Sequence, residues 1–118
     1  MTSSNPSNQS NPLSESQKET LVIFLEECAE CIQEASKIIR FGLEEDNKDA
    51  LEKELADLLC MVFLLSEQGI ISPWSDNIDQ QIMKKAEKLK RWSSNIPKEM
   101  LDDLINKMIL TEEEKSNS

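Results

Sequence analysis

The chain has 118 residues, 38% of them hydrophobic and 31% charged, with a formal net charge of −10; that is one domain's worth of a soluble helical protein. No apolar run approaches the ~20 residues of a bilayer span, and the acidic surplus argues against gripping a nucleic-acid backbone or an anionic membrane surface. Histidine is absent and the only glycines are Gly42 and Gly69, so Ser-His and Cys-His pairs, phosphate-binding loops and dinucleotide loops are all excluded.

Residues 1–13 are mostly Ser, Asn, Gln and Pro, a composition with almost nothing to bury, and they are expected to form a disordered tail. Met1 to Pro12 carry neither a charged side chain nor an apolar stretch, so they do not read as a secretory signal. A first helix is predicted from about Ser16 to Phe41, opened by a Ser16/Glu19 capping box and stopped by Gly42. Leu21, Phe24, Leu25, Cys28, Ile32, Ala35 and Ile39 recur along it at three- and four-residue steps and make an apolar stripe. A second helix is predicted from about Lys48 to Gln68, with Asp46 or Asn47 as its cap and Gly69 after its end. A third follows from about Asp76 to Trp92. A fourth runs from Pro97, at the favoured first position, to about Leu110. Strand-like alternation is missing, so the fold class is all-α, with the ordered domain expected over residues 14–110 and a disordered acidic tail over 111–118.

From Leu58 to Leu65 the second helix reads Leu-Leu-Cys-Met-Val-Phe-Leu-Leu, apolar around its whole circumference. Such a helix asks to be buried on every side, which a domain this small achieves most easily by self-association; a homodimer or larger assembly is expected. The three cysteines, Cys28, Cys31 and Cys60, are an odd number, which with no secretory signal suggests a reducing, cytoplasmic location. Cys28 and Cys31 have CxxC spacing, but they lie inside a helical run with no preceding strand and too few partners for zinc, so packing is the expected role.

The carboxylates carry the chemistry. Glu26-Glu27-Cys28-Ala29-Glu30 is followed by Glu34, and at 100° per residue Glu27, Glu30 and Glu34 share one flank, Glu27 directly beside the apolar stripe. In Glu54-Leu55-Ala56-Asp57, the same projection puts Glu54 between Met61 and Leu65, inside the apolar sector, with Asp57 close by. Between Glu44 and Asp57 two lysines face seven acids, and Lys53 is expected to project away from Glu54. Solvated helix faces account for many acidic runs; an acid in an apolar sector needs another partner. Protonation or a divalent cation remains, and four carboxylates around one space suit Mg²⁺ or Mn²⁺. Magnesium usually meets its substrate through phosphate oxygens, so the expected substrate class is phosphorylated.

Glu26-Glu27-x-x-Glu30 followed, after 23 residues, by Glu54-x-x-Asp57 resembles the metal motif of the MazG-like family of all-α nucleoside triphosphate pyrophosphohydrolases. The flanking Glu-Cys-Ala-Glu-Cys-Ile-Gln-Glu-Ala-Ser and Leu-Glu-Lys-Glu-Leu-Ala-Asp-Leu-Leu are similar too, over roughly Leu21 to Trp92. The resemblance implies a four-helix-bundle-type domain, often dimeric or tetrameric, and Mg²⁺-dependent cleavage between the α- and β-phosphates to a monophosphate and pyrophosphate. It implies Glu27, Glu30, Glu54 and Asp57 as metal ligands and Glu26 as the residue that orients or deprotonates the attacking water. Without histidine, an acidified water and a carboxylate base are also what elementary chemistry leaves.

Ile82 to Trp92 holds five cations against one acid. Lys85 and Lys88, one turn apart, resemble the family's phosphate-reaching lysines, and Arg91 joins them as a candidate. Lys84 and Lys90 read as a solvated face, and Lys37 and Arg40 as weaker candidates. Trp74 and Trp92 read as packing residues that could also stack on a base. Nothing names a base or sugar, tyrosine is absent, and the Met100, Leu101, Leu104, Ile105, Met108 stripe of the fourth helix reads as core or oligomer contact. The expected protein is a cytoplasmic, oligomeric NTP or dNTP pyrophosphohydrolase. Phosphoribosyl-ATP, dCTP and dUTP stay open as substrates, and the rival is a non-catalytic helical interaction module.

Overall fold

The computed structural model describes residues 12–72 and 76–116; the N-terminal segment expected to be disordered and Trp74 fall, wholly or nearly so, outside them. Four helices make up the fold: α1 (Glu15–Phe41), α2 (Glu45–Glu67), α3 (Asp76–Trp92) and α4 (Lys98–Ser116). No strand occurs among the described residues, in agreement with the all-α reading. Two compact units divide the chain after Pro73, the first holding α1 and α2 and the second α3 and α4. No helix among the described residues is long and apolar enough to cross a membrane.

The capping box of α1 lies two residues ahead of its expected place. The Gln17 amide donates to Ser14 Oγ (3.0 Å) and the Ser14 amide donates to Gln17 Oε1 (2.9 Å), satisfying both orphan donors. Ser16 is engaged elsewhere, its hydroxyl oxygen accepting from Gln68 Nε2 at 2.8 Å. With Gln17 Nε2 donating to the Gln68 carbonyl, this pins the start of α1 to the end of α2, so the two helices run antiparallel. Gly42 ends α1 at φ 94°, a region closed to most side chains. α2 then begins at Glu45 and not Lys48, with Glu44 as an N-cap that makes no side-chain bond. Glu45 and Asp46 in its first turn suit the positive end of the helix dipole. Asn47, a candidate cap, instead sends its amide back to the Gly42 carbonyl at 3.1 Å.

Seen within its own unit, α2 is not covered on all sides. Met61 and Leu65 are buried, while Leu59 and Phe63 are 49% and 62% exposed. The stripe of α1 divides in the same way: Leu21, Phe24, Cys28 and Ala35 are half-buried and Leu25, Ile32 and Ile39 are exposed.

In the second unit Ala86 of α3 and Leu101 of α4 are buried, and Lys90 pairs with Asp102 at 2.6 Å. That hydrogen bond, ahead of the carboxylate's charge, raises the Lys90 pKa against the lowering effect of desolvation. The Ser93 hydroxyl accepts from the Ile96 amide in the intervening turn. Pro97 sits just before α4, giving its carbonyl to Met100. α4 continues past Leu110 to Ser116, while Met100 of its proposed stripe is exposed.

Candidate functional site

Midway along the first hairpin, carboxylate oxygens of Glu27, Glu54 and Asp57 lie within 4.8 Å of one another. Helical spacing brings them there. Glu27 is half-buried on the side of α1 that also carries Phe24, Cys28 and Cys31, and Glu54 precedes the buried Met61 and Leu65 by seven and eleven positions on α2. Helical periodicity therefore holds Glu54 on the inward face, its side chain only 15% exposed. Asp57, one turn on, opens further to solvent.

The Oε2 atom of Glu27 is buried and has no hydrogen-bond partner. Loss of solvent raises its pKa first, and the charges of Asp57, Glu54 and Glu30 raise it further, with Lys53 opposing them. An oxygen that is buried, unpartnered and surrounded by negative charge is costly unless protonated or met by a cation.

Lys53 does not project away as expected. Its Nζ lies 3.4 Å from Glu54 Oε1 and 3.3 Å from Asp57 Oδ2, and hydrogen bonding to Asp57 is the leading cause of its raised pKa. Sequence reasoning missed this contact. The signal was available in the i,i+4 spacing of Lys53 and Asp57, since a lysine stem can reach along a helix even when its Cβ points elsewhere.

The other expected site residues fall less close together. Glu30 is exposed and outside the group of three, acting on Glu27 through its charge. Glu26 is exposed at the position before Glu27. Glu34, only 12% exposed, is paired with Lys37 at 3.1 Å. Cys31 is half-buried on the cluster side of α1; burial first, then Cys28 and the carboxylates of Glu54, Glu27 and Asp57, pushes its thiol pKa up. A thiol held protonated is a poor nucleophile, which suits a packing role. Cys28 and Cys60 are also free.

On α3 the expected phosphate-binding trio is split. Lys88 and Arg91 line one recess together with Lys84, Met83 and Glu87. Lys85 lines a different one, beside Ala86, Leu89 and Leu104 of α4. Lys84, read as solvated surface, is exposed, and spacings of four and three residues along Lys84, Lys88 and Arg91 place all three on one face. Trp92 is 78% exposed.

The three converging carboxylates are an all-oxygen donor set that fits a hard divalent cation; the buried, unpartnered Glu27 oxygen is the observation that favours one. A family model, the MazG nucleotide pyrophosphohydrolase domain, matches residues 15–96. The match takes in α1, α2 and α3 and stops before α4. No curated protein and no solved structure matches the chain.

Proposed function

The chain belongs to the MazG nucleotide pyrophosphohydrolase family, and from that premise we propose that it hydrolyses a nucleoside or deoxynucleoside triphosphate between its α- and β-phosphates, with Mg²⁺ or Mn²⁺, to a monophosphate and pyrophosphate. The observation that carries the reading is the convergence of Glu27, Glu54 and Asp57 within 4.8 Å around an oxygen with no partner. Those three would hold the ion, with Glu30 as the fourth carboxylate of the motif. When bound, such an ion neutralises phosphate charge and acidifies water.

The chain's own groups do the rest. Glu26 orients the attacking water and accepts its proton as the new P–O bond forms and the α–β anhydride bond breaks. Lys88 and Arg91, with Lys84 on the same face, bind the triphosphate, and Lys85 contributes from its own side of α3. The exposed apolar residues Leu59 and Phe63 of α2, with Leu25 and Ile32 of α1, favour a homodimer or homotetramer, because monomers rarely leave such faces open. The working location is the cytoplasm.

Anion-exchange analysis of products tests this reading. The purified protein is incubated with a panel of NTPs, dNTPs and phosphoribosyl-ATP, with Mg²⁺ or EDTA, beside Glu54→Gln. Monophosphate plus pyrophosphate, dependent on both metal and Glu54, is expected. Diphosphate plus phosphate would mean cleavage at the wrong bond, and no turnover of any substrate by a folded protein would favour the interaction module.

A further inference from the structure

We propose that Lys53 is an internal counter-cation of the acidic cluster which a divalent ion displaces, so that metal binding at this site is an exchange of one cation for another. The inference rests on the metal reading above and extends it to a residue outside the motif.

Lys53 Nζ lies within 3.4 Å of both carboxylates that α2 contributes, Glu54 and Asp57. These are two of the three groups that converge. A divalent ion seated on the same oxygens would put a dication beside an ammonium, an arrangement that repels strongly at such range. One of them must leave. The ammonium is the mobile partner: its side chain is 70% exposed, with a flexible four-carbon stem that can swing into water without opening any packing.

The counter-charge is also incomplete. Glu27 is not among the ion pairs of Lys53, and its buried Oε2 has no partner. Lys53 thus offsets one of the two charges on the α2 side of the cluster and forms no ion pair on the α1 side. This accounts for how three carboxylates remain together before metal arrives, and for why the holding cation sits at the solvent edge, where it can be released. The residue therefore tunes the metal affinity without being a ligand, by competing with the ion for the Glu54 and Asp57 oxygens.

Calorimetric titration with Mg²⁺, in the absence of nucleotide, of the wild type, Lys53→Met, Lys53→Arg and Lys48→Met tests the exchange. Lys48 stands on the same helix and pairs with none of the three acids in the described structure, so Lys48→Met measures the effect of losing one charge without losing the contact. Exposed ion pairs are worth a small factor in an equilibrium constant; Lys53→Met is expected to bind Mg²⁺ about three- to tenfold tighter than Lys48→Met does, and Lys53→Arg to stay near the wild type. In parallel, acetylation of each lysine by a water-soluble ester is followed by mass spectrometry. Lys53 is expected to react slowly in EDTA and severalfold faster with Mg²⁺, with Lys48 unchanged. Equal Mg²⁺ affinities in Lys53→Met and Lys48→Met, or a Lys53 acetylation rate indifferent to bound Mg²⁺, would overturn the exchange while leaving the metal site standing. Mg²⁺ binding to none of the four proteins would remove the site and the exchange together.

Discussion

Substituting Glu54 by Gln separates a metal centre from an acidic helix seam, because only a metal centre gives a Mg²⁺ response that depends on Glu54. Glu54 and Asp57 carboxylate oxygens lie within 4.8 Å, and at that limit the repulsion is ~3.5 kcal/mol at an effective dielectric near 20. The Asp57 side chain is 46% exposed, so solvent screens much of it. Glu54→Gln removes the repulsion at the cost of one solvent-exposed contact to Lys53, which screening makes weak. In EDTA the variant should therefore melt no lower than the wild type. Mg²⁺ changes the order. At a concentration of ~100 times its Kd it stabilises the wild type by ~2.7 kcal/mol through mass action, which at ~4–8 °C per kcal/mol raises Tm by roughly 10–20 °C. The variant, with one ligand lost, should show little of this shift. Differential scanning calorimetry with Mg²⁺ and with EDTA reads both effects. A wild-type Tm indifferent to millimolar Mg²⁺, or an equal shift in Glu54→Gln, would refute the argument.

Glu27→Gln should stabilise the metal-free protein at neutral pH, because burial and three neighbouring acids raise the Glu27 pKa above 4.5 and the ionised form opposes folding. By linkage that penalty is full above the raised folded pKa, fades as pH falls through it, and is gone below 4.5; denaturant melts across this range in EDTA should show the variant's advantage shrinking with acid, and a constant advantage would contradict it. Lys88→Ala should raise KM about tenfold with kcat little changed, as expected when a charge-assisted bond to phosphate is made equally in ground and transition states; steady-state kinetics with an unchanged KM would place the phosphates elsewhere. Phe63→Lys, at a 62% exposed position on α2, should lower the oligomer mass seen by sedimentation equilibrium while circular dichroism stays helical. A wild type that sediments as a monomer would remove the reason for that test.

How far the sequence reveals this arrangement depends on which physical rule each feature obeys. The helices follow from apolar spacing, and α3 has the ends expected from its pattern. Starts are harder to read, because Ser14-x-x-Gln17 and Ser16-x-x-Glu19 both satisfy a capping rule, and only the contact of Ser16 with Gln68, far along the chain, decides between them. Glu54's inward position is legible because burial follows helical phase; Lys53 escapes the same projection because its contact depends on side-chain reach. The Leu58–Leu65 run is the least legible, since a helix apolar on all sides can turn any face inward at similar gain. The polar residues settle the choice. A one-turn slip of α1 along α2 would keep apolar residues on apolar residues, yet it would part Gln17 from the Gln68 carbonyl and move Glu27 away from Glu54 and Asp57. The cross-helix hydrogen bonds hold the alignment that brings the acids together, and the repulsion among the acids opposes it. A cation at the cluster removes that opposition, so the interaction that serves the chemistry also stabilises the register of the hairpin on which the site is built.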